Sequence, residues 1–248
     1  MVKALYSAAS GMIGQQMRQE AVANNIANVS TTGYKKAIGA QRGFYQIYLD
    51  SLVAAELRSS DIPGGGMLLD ATATDFSQGP MEHTGEPLDV ALDGPGFFVI
   101  EGPNARNLYT RNGHFTRNEN GELVTENGYR VQGEGGAITA AGAAIVLSDD
   151  GRVFVDGSET GALQVVTFDD PHRLFRVGDT MFAVAEDVVP SIVETPKMVP
   201  GALEASNITV AREMLEMLTT MRTFEANQRI VRAVDSTLDR TINELGRV

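Results

Sequence analysis

The sequence predicts an α+β protein in which long N- and C-terminal helices flank an inserted antiparallel β domain. A helical stripe of apolar residues lies at each end of the chain, and short alternating runs separated by turn residues fill the middle. Hydrophobic residues make up 43% and charged residues 21% of the chain. This composition is that of a folded globular protein rather than a disordered one.

The first helix is predicted from Val2 to about Val29. Apolar residues recur there in steps of three and four, with Gln15 and Gln19 in the middle of the series. The stripe consists of Leu5, Ala8, Met12, Val22, Ile26 and Val29. This spacing is typical of a coiled-coil-like helix, and small polar residues followed by Gly33 predict its end.

The last helix has a longer stripe and a plausible N-cap at Asn207 or Thr209. Only Gln228 and Asp235 interrupt its heptad series. The apolar positions are Val210, Met214, Met217, Met221, Phe224, Val231, Leu238, Ile242 and Leu245. The two terminal helices are expected to cover each other in part. Because their stripes differ in length, a second chain is the natural cover for the remainder.

The middle of the chain alternates between apolar and polar residues in short runs from Leu88 to Ala185. The turn signals between the runs are Asn112-Gly113, Asn120-Gly121, Asn127-Gly128, Asp150-Gly151 and Asp156-Gly157. Asn-Gly and Asp-Gly between such runs predict hairpins, and together they predict an antiparallel meander.

These signals predict five segments. They are the N-terminal helix at 1–35, a connector at 36–80, the β-rich domain at 81–187, a return linker at 188–206 and the C-terminal helix at 207–248. Within the connector, Tyr45 to Arg58 is a candidate helix, and Pro63 to Gly66 predicts a break.

Enzymatic and metal-binding chemistry finds little support in the sequence. There is no Cys, and the three histidines, His83, His114 and His172, do not stand at metal-ligand spacing from one another. Ser148 to Gly151 predicts a turn rather than a calcium loop, because the ligand spacing of such a loop is missing. We expect no catalytic site, no metal and no cofactor.

The charge and the hydropathy of the chain exclude further classes. The formal net charge of -12 disfavours binding to nucleic acid or to an anionic membrane surface. No apolar run approaches the roughly 20 residues of a membrane helix. Residues 1–16 lack the apolar core and cleavage site of a secretory signal.

Three stretches resemble the rod and hook family of bacterial flagellar axial proteins. They are Ala4–Lys35, which contains Ala23-Asn24-Asn25 and Thr31-Thr32-Gly33-Tyr34-Lys35; Leu88–Val99 with Tyr109–Phe115 and Gly121–Thr125; and Leu203–Ile208 with Met221–Asn227. The resemblance implies paired terminal helices as an inner core, a β domain outside it and a helical tube around an export channel. It also implies export through the flagellar type III apparatus, which would explain the absence of a cleavable signal.

Within that family the length and Gly133 to Ile138 resemble the proximal-rod group, with the distal-rod group as the runner-up. The resemblance implies a structural subunit of the basal-body rod, in contact with copies of itself and with other rod subunits. Two other classes stay open: a cell-wall enzyme, which would need a convergent carboxylate pair, and a soluble adaptor with a helical docking arm.

The assembly interface is predicted on the two terminal helices and the polar residues beside them. Its residues are Leu5, Met12, Asn24, Asn25, Ile26, Asn28, Asn207, Met214, Met217, Met221, Phe224, Val231, Leu238 and Ile242. The apolar members would bury against neighbouring subunits, and the Asn residues would fix the register.

Overall fold

A computed structural model describes residues 2–39, 41–43, 67–69, 73–103, 106–142, 144–178, 180–185 and 188–245. The chain divides into two compact units. The helical unit consists of residues 1–27, 37–74 and 209–248, and the β unit consists of residues 28–36 and 75–208.

Two α-helices dominate the described part of the helical unit. Helix α1 spans Val2–Ala27, and helix α2 spans Val210–Leu245. Strand β1 (Ala37–Ile38) pairs with β4 (Ala73–Thr74), and β2 (Gln41–Gly43) pairs with β3 (Met67–Leu69). Both predicted terminal helices are therefore confirmed, although α1 ends at Ala27, before the predicted end near Val29.

The predicted apolar stripe of α2 is distributed over two faces of the helix. Met217, Phe224, Val231 and Leu238 are half-buried, whereas Val210, Met214 and Met221 are exposed. The fully buried side chains of α2 are polar, Glu213 and Thr220. Polar contacts with α1 lie on the covered face of α2.

The β unit contains the remaining strands, all paired antiparallel. They are β5 (Met81–His83), β6 (Val90–Leu92), β7 (Phe97–Glu101), β8 (Asn107–Thr110), β9 (Phe115–Arg117), β10 (Leu123–Thr125), β11 (Arg130–Gly133), β12 (Gly136–Ala137), β13 (Ile145–Leu147), β14 (Arg152–Val155), β15 (Ser158–Ala162), β16 (Val165–Thr167), β17 (Leu174–Arg176), β18 (Met181–Val184), β19 (Ser191–Ile192), β20 (Met198–Pro200) and β21 (Ala202–Glu204). A short 3-10 helix, Pro171–Arg173, precedes β17. The α+β class is confirmed.

The main sheet has the strand order β17-β18-β8-β7-β11-β10-β9. Strand β12 pairs with β11, β16 pairs with β7, and β19 pairs with β16. A second sheet has the order β13-β14-β15, and two further pairs join β20 to β6 and β21 to β5.

Four of the five predicted hairpins are confirmed, and the hairpin at Asn112-Gly113 is wrong. Strand β8 pairs with β7 and β18, whereas β9 pairs with β10. The Asn112 side chain instead organises its own loop, since its Oδ1 accepts hydrogen bonds from His114 N and Thr32 Oγ1, each at 3.0 Å. A Cβ on Gly113 would lie 1.7 Å from the carbonyl oxygen of Val90, so tertiary contact and not a tight turn requires this glycine.

The core of the β unit lies on both faces of the main sheet. Phe98 and Ile100 belong to one apolar cluster, and Phe97 and Val99 belong to another. Alternate residues of a strand point to opposite faces, which explains why β7 is apolar along its length. The helix predicted at Tyr45 to Arg58 and the break predicted at Pro63 to Gly66 lie outside the described residues. Neither described helix is both long and apolar enough to cross a membrane.

Candidate assembly surface and the joints beside it

A buried amide joins three segments of the helical unit. Asn25 Nδ2 donates to the carbonyl oxygen of Ala37 at 2.9 Å and to Glu213 Oε2 at 3.1 Å. Its Oδ1 accepts from the backbone N–H of Ala37 at 2.9 Å. Asn25 and Glu213 are each 1% exposed. An amide offers both donors and an acceptor, and this site uses both kinds to hold α1, α2 and β1 in one arrangement.

A second contact fixes how the two helices run. Arg18 Nε donates to Glu216 Oε1 at 2.7 Å, and Gly11 lies so close to Asn227 that a Cβ there would be 3.2 Å from its Nδ2. Arg18 comes after Gly11 in α1, whereas its partner Glu216 comes before Asn227 in α2. The two helices are therefore antiparallel. Both side chains of the ion pair are partly exposed, so its contribution to stability is small.

An exposed apolar surface lies along the first half of α2. We call Met214, Leu215, Leu218 and Met221 the α2 patch. Their exposed fractions are 53%, 66%, 53% and 44%. Positions 214, 218 and 221 are spaced by four and three residues and therefore share one face of the helix. Contiguous exposed apolar side chains mark interaction sites in soluble proteins.

The predicted interface residues fall into several environments. Met214 and Met221 lie in the α2 patch; Met12, Ile26, Met217, Phe224, Val231 and Leu238 are half-buried; Asn24 is exposed; Asn28 is half-buried; and Asn25 is buried. Leu5 and Ile242 lie in the helices, but their side chains are outside the described residues. The structure adds Leu215 and Leu218, which the heptad series omitted because they fall between its positions.

Asn207, the remaining predicted residue, lies in the β unit and joins three segments. Its Nδ2 donates to the carbonyl oxygens of Asp75 and Ser77 at 2.9 and 3.1 Å. Its Oδ1 accepts from the backbone N–H of Lys36 at 2.8 Å. The Asn207 side chain thus links its own segment to Lys36 and to the segment that contains Asp75 and Ser77.

Next to Asn207 along the chain, a buried group of charges holds the same segments. Lys35 Nζ lies 2.5 Å from Glu204 Oε1 and donates to the carbonyl oxygen of Ser77 at 2.7 Å. Arg111 Nη1 lies 3.3 Å from Glu204 Oε2, and the backbone N–H of Gly79 donates to Glu204 Oε1 at 2.8 Å. We call Lys35, Arg111 and Glu204 the charge joint.

Burial determines the protonation behaviour of the charge joint. Desolvation lowers the pKa of the Lys35 ammonium, and the opposing effect of the Glu204 carboxylate is smaller. Desolvation likewise lowers the pKa of the Arg111 guanidinium, and the Glu204 carboxylate opposes this with a smaller effect. Two cations therefore share one carboxylate that has almost no contact with water.

The residues of the charge joint lie in the three stretches that resemble the rod and hook family, but no sequence pattern singles them out. Lys35, Arg111 and Glu204 each come from a different one of the three stretches. Each stretch contains a charged residue, but a charged residue in a sequence does not by itself predict burial, because most charged side chains are exposed to solvent. Only the fold shows that these three meet.

The histidines do not form a metal site in the described part of the chain. His114 Nδ1 lies 2.7 Å from Asp89 Oδ1, and His83 and His172 are exposed. No group of three or more His, Asp or Glu residues among the described residues is arranged to hold a metal ion.

Comparison with known proteins finds three matching family models. Residues 5–35 match the flagella basal body rod protein family, residues 91–155 match the flagellar hook protein FlgE/F/G D1 domain, and residues 199–245 match the flagellar basal body rod FlgEFG protein C-terminal family.

Curated relatives match along the whole chain. The flagellar basal-body rod protein FlgG of Borreliella burgdorferi is 32% identical over 96% of this chain and 97% of its own length. The flagellar hook-basal body complex protein FlhO of Bacillus subtilis is 28% identical, and the flagellar basal-body rod protein FlgF of Caulobacter vibrioides is 29% identical, each over all of both chains.

Proposed function

This chain belongs to the flagellar basal-body rod and hook protein family, and from that premise we propose that it is a structural subunit of the basal-body rod. The family membership confirms the resemblance found in the sequence. The observation that carries the mechanism is the α2 patch, an apolar face that the described part of the helical unit leaves exposed.

In this proposal the terminal helices pair as a coiled-coil-like core and bury their exposed faces against neighbouring subunits. Each apolar side chain buried in this way contributes roughly 1.5–3 kcal/mol. Ile13 and Met17 of α1, which are also exposed, supply further apolar surface in the same unit. Repeated contacts of this kind would give a stiff tube that transmits torque.

The contacts between subunits are head-to-tail and open in this mechanism, since such contacts build filaments rather than closed pairs. Asn24 and Asn28 near the end of α1 would fix the register, because polar groups at an interface penalise misalignment. Asn25 would act indirectly, by holding α1 and α2 together, and Asn207 would hold segments of the β unit together.

The location follows from the family, which belongs to the flagellar basal body. We place the subunit in the rod where it crosses the periplasm, after export through the flagellar type III apparatus. We assign it to the proximal rod, with the distal rod as the alternative. Its partners are copies of itself and other rod subunits, and its role is structural rather than enzymatic.

The test introduces a charge into the α2 patch. Met221→Glu or Leu218→Glu should abolish incorporation into basal bodies and motility, since a buried unpaired carboxylate opposes assembly. The matched control is Ala226→Glu, which makes the same change at an exposed position of the same helix without removing a large apolar side chain. Mass spectrometry of detergent-extracted basal bodies gives the amount of each variant.

Assembly of Met221→Glu at the level of the parent chain would show that the α2 patch is not the contact surface. Absence of the parent chain from basal bodies, with the protein abundant in the soluble fraction, would overturn the rod assignment itself and favour an adaptor or a cell-wall enzyme.

A further inference from the structure

The β unit contains a cavity that the rod assignment does not explain. Its volume is about 270 Å³. Its walls include the aromatic rings of Phe76, Phe97 and Phe168, and its rim includes Pro95 and Pro171. Phe76 and Phe97 pack edge to face, with ring centroids 5.5 Å apart and an angle of 84° between the ring planes. The cavity is thus lined largely by aromatic and other apolar groups.

One charged side chain, Arg111, contributes to the wall of this cavity. Arg111 is only 4% exposed, and its guanidinium lies over the Phe97 ring at 5.4 Å from the centroid. Its Nη1 reaches Glu204 Oε2 at 3.3 Å, but its Nε has no hydrogen-bond partner among the residues that the structure describes. A guanidinium carries five N–H donors, and donors buried without acceptors cost free energy.

Arg111 shares the carboxylate of Glu204 with a second buried cation, Lys35. Glu204 also forms an ion pair with Lys35, at the shorter distance of 2.5 Å. The Asp75 carboxylate raises the pKa of Lys35. Among the described residues, Glu204 is the carboxylate that acts on Arg111. A buried cation without a full counter-charge is unfavourable, and a second carboxylate would remove that cost.

We propose that this cavity receives a segment of a second copy of this chain in which a carboxylate stands beside an apolar side chain. The carboxylate would accept from the donors of Arg111 that Glu204 leaves unused, and the apolar group would pack against the aromatic walls. This inference rests on the proposed function, because assembly is what brings a second copy to the cavity.

Charge complementarity is the argument for a second copy as the occupant. The chain carries 32 Asp and Glu against 20 Lys and Arg, so its own surface is rich in carboxylates. The required chemistry occurs on that surface: Ile192 is 60% exposed, and Glu194, two residues later, is also exposed. The contact would be specific, because burying a carboxylate is favourable only beside a buried opposite charge such as Arg111.

The direct test places the photoreactive residue p-benzoylphenylalanine at Pro95 and irradiates purified basal bodies. We expect a cross-linked product of twice the 26.6 kDa chain mass, joined to a peptide that contains Asp or Glu. The matched control carries the same residue at Pro103, another exposed loop proline, which does not line the cavity. No product at Pro95, equal products at both sites or cross-linking to a different protein would overturn the proposal.

A second test uses the isolated full chain and does not depend on assembly. Phenylacetate, a carboxylate with an apolar body, should shift the NMR signal of the Arg111 Nε–H group, and neutral phenylacetamide should shift it far less. Pro95→Trp, which obstructs the rim, should suppress the shift, whereas Pro103→Trp should not. An Arg111 signal that phenylacetate leaves unchanged would overturn the assignment of the cavity.

The two tests separate failure of this inference from failure of the rod assignment. Basal bodies that contain the chain but give no cross-link from Pro95 would contradict only the inference. Basal bodies that lack the chain would contradict the rod assignment, and the phenylacetate titration would then still decide whether the cavity binds a carboxylate.

Discussion

The Nζ atom of Lys35 and the Oε1 atom of Glu204 lie 2.5 Å apart inside the β unit, where their side chains are 1% and 0% exposed. The two residues are far apart in the sequence, and the carboxylate also reaches Arg111 and the backbone of Gly79. Removing Glu204 from this buried group would take away the carboxylate that both cations share, so the charge joint depends on it.

Glu204→Gln is expected to destabilise the chain strongly, because it removes the carboxylate that the buried Lys35 and Arg111 side chains share. The expected loss in the free energy of unfolding is about 3–5 kcal/mol. Urea denaturation of the purified chain, followed by circular dichroism, measures it. Glu159→Gln is the matched control: Glu159 pairs with Arg152 at 3.4 Å where both side chains are about half exposed. Glu159→Gln should lower the free energy of unfolding by less than about 1 kcal/mol. Equal decreases for Glu159→Gln and Glu204→Gln would show that burial does not strengthen the charge joint.

The stability of the chain should depend on the ionisation of Lys35. Burial lowers the pKa of its ammonium below the ordinary value of 10.5. Between the lowered pKa and 10.5 the folded chain therefore binds fewer protons at this group than the unfolded chain, so the group's contribution to stability rises with pH. The parent chain should gain stability relative to Lys35→Met as the pH is raised toward 10.5. Urea denaturation of both proteins over a pH series measures the difference, and a falling difference would contradict the prediction.

Asn25→Asp should loosen the helical unit. The new carboxylate would face Glu213 and the carbonyl oxygen of Ala37 in place of an N–H donor. Loss of a satisfied buried amide together with like-charge repulsion should cost at least about 2 kcal/mol. Hydrogen exchange of the α1 and α2 amides measures the loosening. Asn24→Asp, a change of the same kind at the neighbouring exposed position, should leave exchange much closer to that of the parent.

Gly33→Ala should cost more than the same change at a glycine with a similar backbone angle. Gly33 has φ +69°, and a Cβ there would lie 2.4 Å from the backbone nitrogen of Asn112. Gly128 has φ +79°, but nothing lies within 4 Å of a Cβ at that position. Gly128→Ala should cost about 1–2 kcal/mol from the backbone angle alone. Gly33→Ala should exceed this by at least about 1 kcal/mol, because the clash adds to it. Urea denaturation compares the two, and equal costs would show that the close approach is not rigid.

Local periodicity and local turn chemistry are enough to predict both terminal helices and most of the hairpins. The helices at both ends follow from spacing in threes and fours, and the turns at Asn120-Gly121 and Asn127-Gly128 follow from the backbone preference of glycine. Their formation requires only neighbouring residues, which a sequence displays directly.

Which side chains meet becomes visible only in the folded chain. It turned α2 so that Glu213 is buried and Met214 is exposed, and it made Asn112-Gly113 a contact between segments rather than a hairpin. It also brought Lys35, Arg111 and Glu204 together and placed Arg111 at the wall of a cavity. Burial and charge pairing depend on partners distant along the chain, and no local pattern encodes those partners. The physical reason is that desolvation and Coulomb interactions act through space and not along the sequence.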